Sequence, residues 1–139
     1  MTKQTKNEAR ATETDEAKVE RWLRRAAGYA RERFDELKTE LAREIEDNPV
    51  YAVEWKAKKV VDAQTTYEVW LAVERDLDEG EPVTEVLAEN IGTVERLLEY
   101  AQGDGSTCPY QRANERVKGQ VYVRELRKLR EAAQHLEVE

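Results

Sequence analysis

The sequence predicts an all-α protein: a four-helix antiparallel bundle with two long N-terminal helices and a kinked C-terminal helix. Charged residues make up 38% of the 139 residues, and only three Pro and six Gly interrupt them. Such a composition favours helices. Apolar residues recur at spacings of three and four, the period of a helix with one buried face. Pro-containing turns and a Gly-rich loop divide this pattern into four segments.

The first helix is predicted to begin after Thr14, a suitable N-cap followed by two acidic residues. The polar residues 1–13 before it are predicted to form a disordered tail, and residues 14–139 a single helical domain. The helix continues for about 32 residues, or roughly 48 Å at 1.5 Å per residue. Its apolar stripe consists of Val19, Leu23, Ala26, Ala30, Leu37, Leu41 and Ile45.

Asn48-Pro49 is predicted to separate the first helix from the second. The residue before a proline avoids the α region, and proline is favoured at the first helical position. We expect a tight hairpin here, and the alternative is a kink in one elongated, coiled-coil-like rod. The second helix should run to about Glu79. Its apolar stripe is wider, which predicts contacts on more than one side, and it consists of Val53, Ala57, Val60, Val61, Tyr67, Trp70, Leu71 and Leu77.

Two shorter segments complete the predicted bundle. Residues 78–82 are predicted to be a turn, after which a third helix begins at Pro82 or Thr84 and ends near Ala101. Residues 102–107 are predicted to form a loop. The fourth helix should begin near Pro109 and continue almost to the C-terminus. Its apolar stripe shifts by one residue near Gly119, which predicts a kink, or a break with two packing partners.

The net charge of −7 argues against general nucleic-acid binding, which depends on clustered Lys and Arg. This charge is concentrated in residues 49–102, which carry 5 basic and 12 acidic groups. No apolar run approaches the ~18 residues that span a membrane. The N-terminus lacks the apolar stretch of a secretory signal. We therefore expect a cytoplasmic protein, or part of an assembly formed there.

Arg130 and His135 are the sharpest candidates for catalysis. An Arg followed by four residues and a His is similar to the motif of the HEPN family, which are small all-helical proteins. Many members are metal-independent RNases that act across a dimer interface, so the resemblance implies RNA cleavage by Arg130 and His135. It covers these few residues only, and Glu131 stands where the family usually has a small polar residue. The alternative is an exposed i,i+4 pair between Glu131 and His135.

No cofactor or metal site is predicted. Carboxylate-bridged di-iron bundles need Glu-x-x-His pairs from two helices, and this chain has one His. The segment 76–80 begins like a calcium loop, but its Gly comes one residue early and Leu87 stands at the twelfth position. Cys108 is the only cysteine. We interpret it as incidental rather than as a nucleophile at the start of the fourth helix.

Aromatic and charged residues outside the core stripes are the candidates for binding other proteins. Aromatic side chains are enriched at interfaces, and the candidates here are Trp22, Tyr29 and Trp55. One face of the fourth helix is basic, because Arg112, Arg116, Arg127 and Arg130 project within about 60° of each other. Residues 74–99 are acidic and include Glu85 and Glu89. These two charged faces are either solvated or meet, within the fold or head to tail between subunits.

We expect a non-enzymatic, oligomeric interaction or structural protein, such as a scaffold, an adaptor or a component of a larger particle, for example a viral assembly. Helices near 48 Å are long for a globule whose radius of gyration should be about 14 Å. A partner chain makes it easier to bury them. The expected partner is protein, most simply a second copy, rather than a membrane or a nucleic acid. The alternatives are the HEPN-like RNase and an acidic protein that docks a basic partner through residues 74–99.

Overall fold

The computed structural model describes residues 14–103 and 109–137, which form four helices and no strand. Helix α1 is Asp15–Asp47. Helix α2 begins as Pro49–Tyr51, passes through a π-helical segment, Ala52–Lys56, and continues as Ala57–Asp78. Helix α3 is Val83–Gly103 and helix α4 is Pro109–Glu137. The predicted all-α class is confirmed, whereas the predicted tail 1–13 and Cys108 lie outside the described residues.

The N-terminus of α1 is fixed by the predicted cap. The Thr14 side chain accepts a hydrogen bond from the Ala17 N–H at 3.1 Å, and Asp15 and Glu16 occupy the first turn. Acidic side chains there interact favourably with the helix dipole. None of the helices in the described ranges has the length and apolar character that crossing a membrane requires.

The chain turns back on itself at Asn48. This residue leaves the helical region (φ −153°, ψ 75°), and Pro49 is the first residue of α2. Ion pairs between α1 and α2 then occur in reverse order along the two helices, because Arg24 contacts Asp78, Arg31 contacts Glu74 and Glu40 contacts Lys56. The two long helices therefore lie side by side as a hairpin.

The turn between α2 and α3 requires a left-handed residue, which Gly80 supplies with φ +85°. The Gly80 N–H donates to the Leu77 carbonyl at 3.0 Å, which closes α2. The Pro82 carbonyl accepts hydrogen bonds from the N–H groups of Glu85 and Val86, both at 3.0 Å, and this opens α3. The observed start at Val83 falls between the two predicted starts.

Helix α4 is helical without interruption from Pro109 to Glu137, so the predicted break near Gly119 is absent and the predicted kink stays a prediction. Its two displaced stripes correspond to the two packing partners that were predicted. Helix α4 contacts both α2 and α3, and Val121 and Tyr122 are both buried as a result. At Gly119 the helix approaches α3, where an added Cβ would lie 3.9 Å from the Ala101 Cβ.

The core occupies one end of the bundle, and the other end of the hairpin is thinly packed. The core cluster comprises Val19, Leu23, Ala27, Ala30, Val69, Trp70, Val73, Leu77, Val83, Val86, Leu87, Val94, Tyr122, Leu126, Leu129 and Ala132. At the far end, which we call the hairpin tip (residues 45–55), Ala52 is fully buried against α1. The predicted burial of Ile45 and Val53 is wrong, since they are 52% and 70% exposed. A single neighbouring helix covers only one side of the tip.

Candidate functional site

A groove with a volume of about 750 Å³ opens between α1 and α4, and α2 forms its floor. It exists because α1 packs mainly on α2 while α4 packs mainly on α3, so that α1 and α4 stand apart. Small side chains on the facing surfaces leave the space free, namely Ala26 and Ala30 of α1 and Ala63 and Thr66 of α2. A cleft of this size falls within the range of ligand-binding sites.

Two predicted interaction residues, Trp22 and Tyr29, line the groove from α1. They are 43% and 66% exposed. The Trp22 ring packs edge-on against the buried Trp70 ring, with centroids 5.9 Å apart and planes at 79°. This is a favourable aromatic geometry. Trp22 is therefore held in place by the core while part of its ring remains open to a partner.

A buried carboxylate, that of Glu125, lies at the base of the groove. The Glu125 side chain is 1% exposed, and one of its oxygens accepts hydrogen bonds from Trp70 Nε1 at 3.4 Å and Lys128 Nζ at 3.2 Å. Its second oxygen lies 3.1 Å from Lys128 Nζ and 3.6 Å from Arg124 Nε. Because an unpaired buried charge is costly, this carboxylate holds two cations of α4 at the groove wall.

Arg124 joins α4 to α2 across the groove. Its guanidinium donates to Asp62 Oδ1 at 3.1 Å and to Thr66 Oγ1 at 2.9 Å. The hydrogen bond to Asp62 is the main reason that the pKa of Arg124 is raised. The side chain therefore contributes a permanent positive charge.

The groove is basic although the protein is acidic. Its charged lining has two acidic members, Asp62 and Glu125, and six basic members, two from each of three helices: Arg25, Arg33, Lys58, Lys59, Arg124 and Lys128. The lining thus carries a net +4. Since the whole chain carries −7, the residues outside the groove together carry −11. A concave positive site on an acidic protein attracts anionic groups selectively.

The predicted basic face of α4 is a different surface from the groove. Arg112, Arg116 and Arg127 are exposed and do not line the groove. On an ideal helix they project roughly 100° away from Arg124 and Lys128. The groove uses another side of α4, which carries Arg124 and Lys128.

Trp55 lies at the hairpin tip and is 61% exposed. Four other apolar side chains of the tip are also exposed: Ile45, Val50, Tyr51 and Val53. None of these five residues lines the groove. The tip is thus a separate apolar surface.

Glu85 and Glu89 are exposed on α3. Carboxylate oxygens of Glu89, Asp76 and Glu81 lie within 4.8 Å of one another. Loss of solvation raises the pKa of Glu81, and the charge of Glu89 and a hydrogen bond with it raise this pKa further. Asn90, which is buried, donates to Asp76 Oδ2 at 2.8 Å. The amide donor of Asn90 thus offsets part of the repulsion within this acidic cluster.

The structure does not bring Arg130 and His135 together within one chain. Arg130 Nη2 lies 3.6 Å from Glu95 Oε1 on α3, whereas His135 lines a cleft beside Lys18 and Trp22 of α1. Because Arg130 and His135 are five positions apart on a helix, their side chains project roughly 140° apart around α4. Comparison with protein-family profiles, with curated proteins and with solved structures finds no match for this chain.

Sequence reasoning missed the groove because no single helix displays it. Each of α1, α2 and α4 supplies two of the six cations, and those of α1 and α4 lie among many other charged residues. Two signals were present. Glu125 falls in the apolar period of α4, four residues after Val121 and four before Leu129, which marks a buried, partnered charge. Ala26 and Ala30 place small side chains one turn apart on the buried side of α1.

Proposed function

We propose that the protein is a non-enzymatic helical interaction protein whose groove binds an acidic, amphipathic helix of another protein. The observation that carries this proposal is the net +4 lining, with its aromatic rim, in a protein that is otherwise strongly acidic. In this role the chain acts as a scaffold or an adaptor.

The dimensions of the groove suit a helix. Its lining along α1 extends from Trp22 to Leu37, and 15 residues of helix span about 22 Å, or roughly four turns. Amphipathic helices bind such grooves through apolar anchors one turn apart. Trp22, Tyr29 and the small side chains between the helices provide the apolar contact, and the surrounding cations select acidic flanks.

The charge distribution favours a short acidic helix over a nucleic acid. A nucleic acid would extend beyond the groove onto a surface that carries −11 and would be repelled there. A helix of four turns keeps its negative charge within the groove. The groove therefore supports binding of a compact acidic segment.

The first experiment measures how groove charge affects the affinity for an acidic helix. The probe is a fluorescein-labelled synthetic peptide of about 16 residues, four helical turns, with leucines on one helical face and glutamates beside them. Binding is followed by fluorescence anisotropy. We expect the double variant Lys58→Glu, Lys59→Glu to bind at least about tenfold more weakly, because two attractive charge pairs become repulsive.

The matched control is the double variant Arg112→Glu, Arg116→Glu, which makes the same change in charge outside the groove. Its affinity should change by less than about twofold, since screening limits the reach of exposed charges. Equal losses in both variants would mean that the peptide responds to net charge alone and would refute the groove as its site. Tighter binding of a labelled single-stranded RNA of similar length would instead identify a nucleic-acid site.

A further inference from the structure

We infer that the acidic helix bound by the groove is α3 of a second copy of this chain, so that copies associate head to tail. This inference rests on the proposed function of the groove and identifies its partner. It is carried by the fit between two surfaces of the same molecule.

The outward face of α3 has the chemistry that the groove selects. Glu85, Glu89 and Tyr100 project within about 60° of one another on an ideal helix. Both glutamates are exposed, Tyr100 is 70% exposed, and Leu97 beside it is 40% exposed. The exposed Arg96 projects about 20° from Glu85, within the same sector. The face is thus acidic at its N-terminal end, whereas its C-terminal end combines the cation of Arg96 with the apolar side chains of Leu97 and Tyr100.

The groove has an aromatic end and spans the same length, and cations line all of it, since Lys128 pairs with Glu125 beside Trp70. Trp22 and Trp70 mark one end, while Lys59 lies at the other, near Arg33 and the Glu40–Lys56 pair. Glu85 and Tyr100 are 15 residues apart, about 22 Å along a helix, the same separation as Trp22 and Leu37. Tyr100 of one copy therefore lies at the Trp22 end, and Glu85 and Glu89 lie beside Lys58 and Lys59.

A chain cannot fill its own groove in this way. The groove lining comes from α1, α2 and α4, and no described residue of α3 contributes to it. Helix α3 packs on α4 and α2, on the other side of the bundle. The contact must therefore form between copies. Because it joins two different surfaces, it is heterologous and yields a ring or an open chain of subunits.

The test uses charge reversal on each surface separately. One variant carries Lys58→Glu and Lys59→Glu, and the other carries Glu85→Lys and Glu89→Lys. Size exclusion with light scattering gives the mass of each variant and of an equimolar mixture. We expect the wild type to exceed the 16.1-kDa monomer, each variant alone to be monomeric, and the mixture to recover association. Recovery occurs because the intact α3 of the first variant meets the intact groove of the second.

The results also separate this inference from the proposed function. The association of copies is overturned if the wild type is monomeric, if charge reversal leaves the mass unchanged, or if the mixture of variants stays monomeric. If a monomeric wild type still binds the acidic peptide in a manner that depends on Lys58 and Lys59, the groove function stands and its partner is another protein. If neither the peptide nor a second copy binds, both proposals fail. Arg112→Glu with Arg116→Glu is again the control and should retain the wild-type mass.

Discussion

At the scale of single residues, Trp70 links the core to the groove. Its ring is 1% exposed, it supports Trp22, and its indole N–H donates to the buried carboxylate of Glu125. One side chain thus fixes both an aromatic residue of the rim and the anion at the groove base. Trp55, by contrast, contributes little to packing because most of its surface is exposed.

This difference between Trp70 and Trp55 predicts the effects of truncating them. Trp70→Ala should lower the free energy of unfolding by about 3–5 kcal/mol, the range for large buried side chains. Trp55→Ala should change it by less than about 0.5 kcal/mol. Urea unfolding followed by circular dichroism measures both. Similar losses for the two variants would show that the hairpin tip is packed as tightly as the core.

The acidic cluster of Asp76, Glu81 and Glu89 predicts a pH dependence of stability. The pKa of Glu81 is raised in the folded protein, whereas an unfolded Glu titrates near ~4.3. The folded state therefore binds this proton more tightly, and the free energy of unfolding falls as the pH rises from the unfolded to the folded pKa. Glu81→Gln should raise the melting temperature near neutral pH and change it little below about pH 4.

The control for Glu81→Gln is Glu131→Gln, which changes an exposed carboxylate on α4. It should leave the melting temperature nearly unchanged at both pH values. A lower melting temperature for Glu81→Gln near neutral pH would contradict the account, because it would show that the ionised carboxylate stabilises the fold.

At the scale of elements, the α1–α2 hairpin has two unequal halves. The half near Gly80 packs against all other helices, whereas the π-helical segment Ala52–Lys56 contacts only α1 and its own chain neighbours. Regions with few buried contacts open locally at low free energy. The exposed apolar side chains of the tip therefore lie on the least supported part of the hairpin.

This asymmetry predicts different rates of amide exchange within α2. Amides of the tip should exchange at least about a hundredfold faster than those of Val69–Leu77, which should open only on global unfolding. Hydrogen exchange followed by mass spectrometry of peptic fragments resolves the two regions. Equal protection across α2 would contradict the proposed division and would imply that another copy covers the tip.

Element boundaries were predictable from local signals. The Thr14 cap, the Asn48-Pro49 junction, the turn at Gly80 and the start at Pro109 each depend on a few adjacent residues. Burial was less predictable, because it depends on which other helix reaches a given position. The stripes of the first two helices correctly placed Leu23 and Trp70 in the core but failed at Ile45 and Val53, where no third helix is present.

At the scale of the whole molecule, the groove depends on how the helices are arranged. Its six cations come from three helices that are distant in sequence, so no single window of the chain contains all of them. Composition alone predicts an acidic protein and conceals a local positive site. The same arrangement places the basic groove and the exposed glutamates of α3 on different parts of one chain.

The most direct test of the groove function is to map where an acidic helix binds to the unmodified protein. Amide chemical shifts of the full chain are recorded by NMR during titration with the leucine–glutamate peptide. We expect the largest chemical-shift changes along the groove, at residues 22–37 of α1 and 117–128 of α4. Lys58 and Lys59 should be among the residues that change. Changes centred on Arg112 and Arg116, or on the hairpin tip, would contradict this expectation.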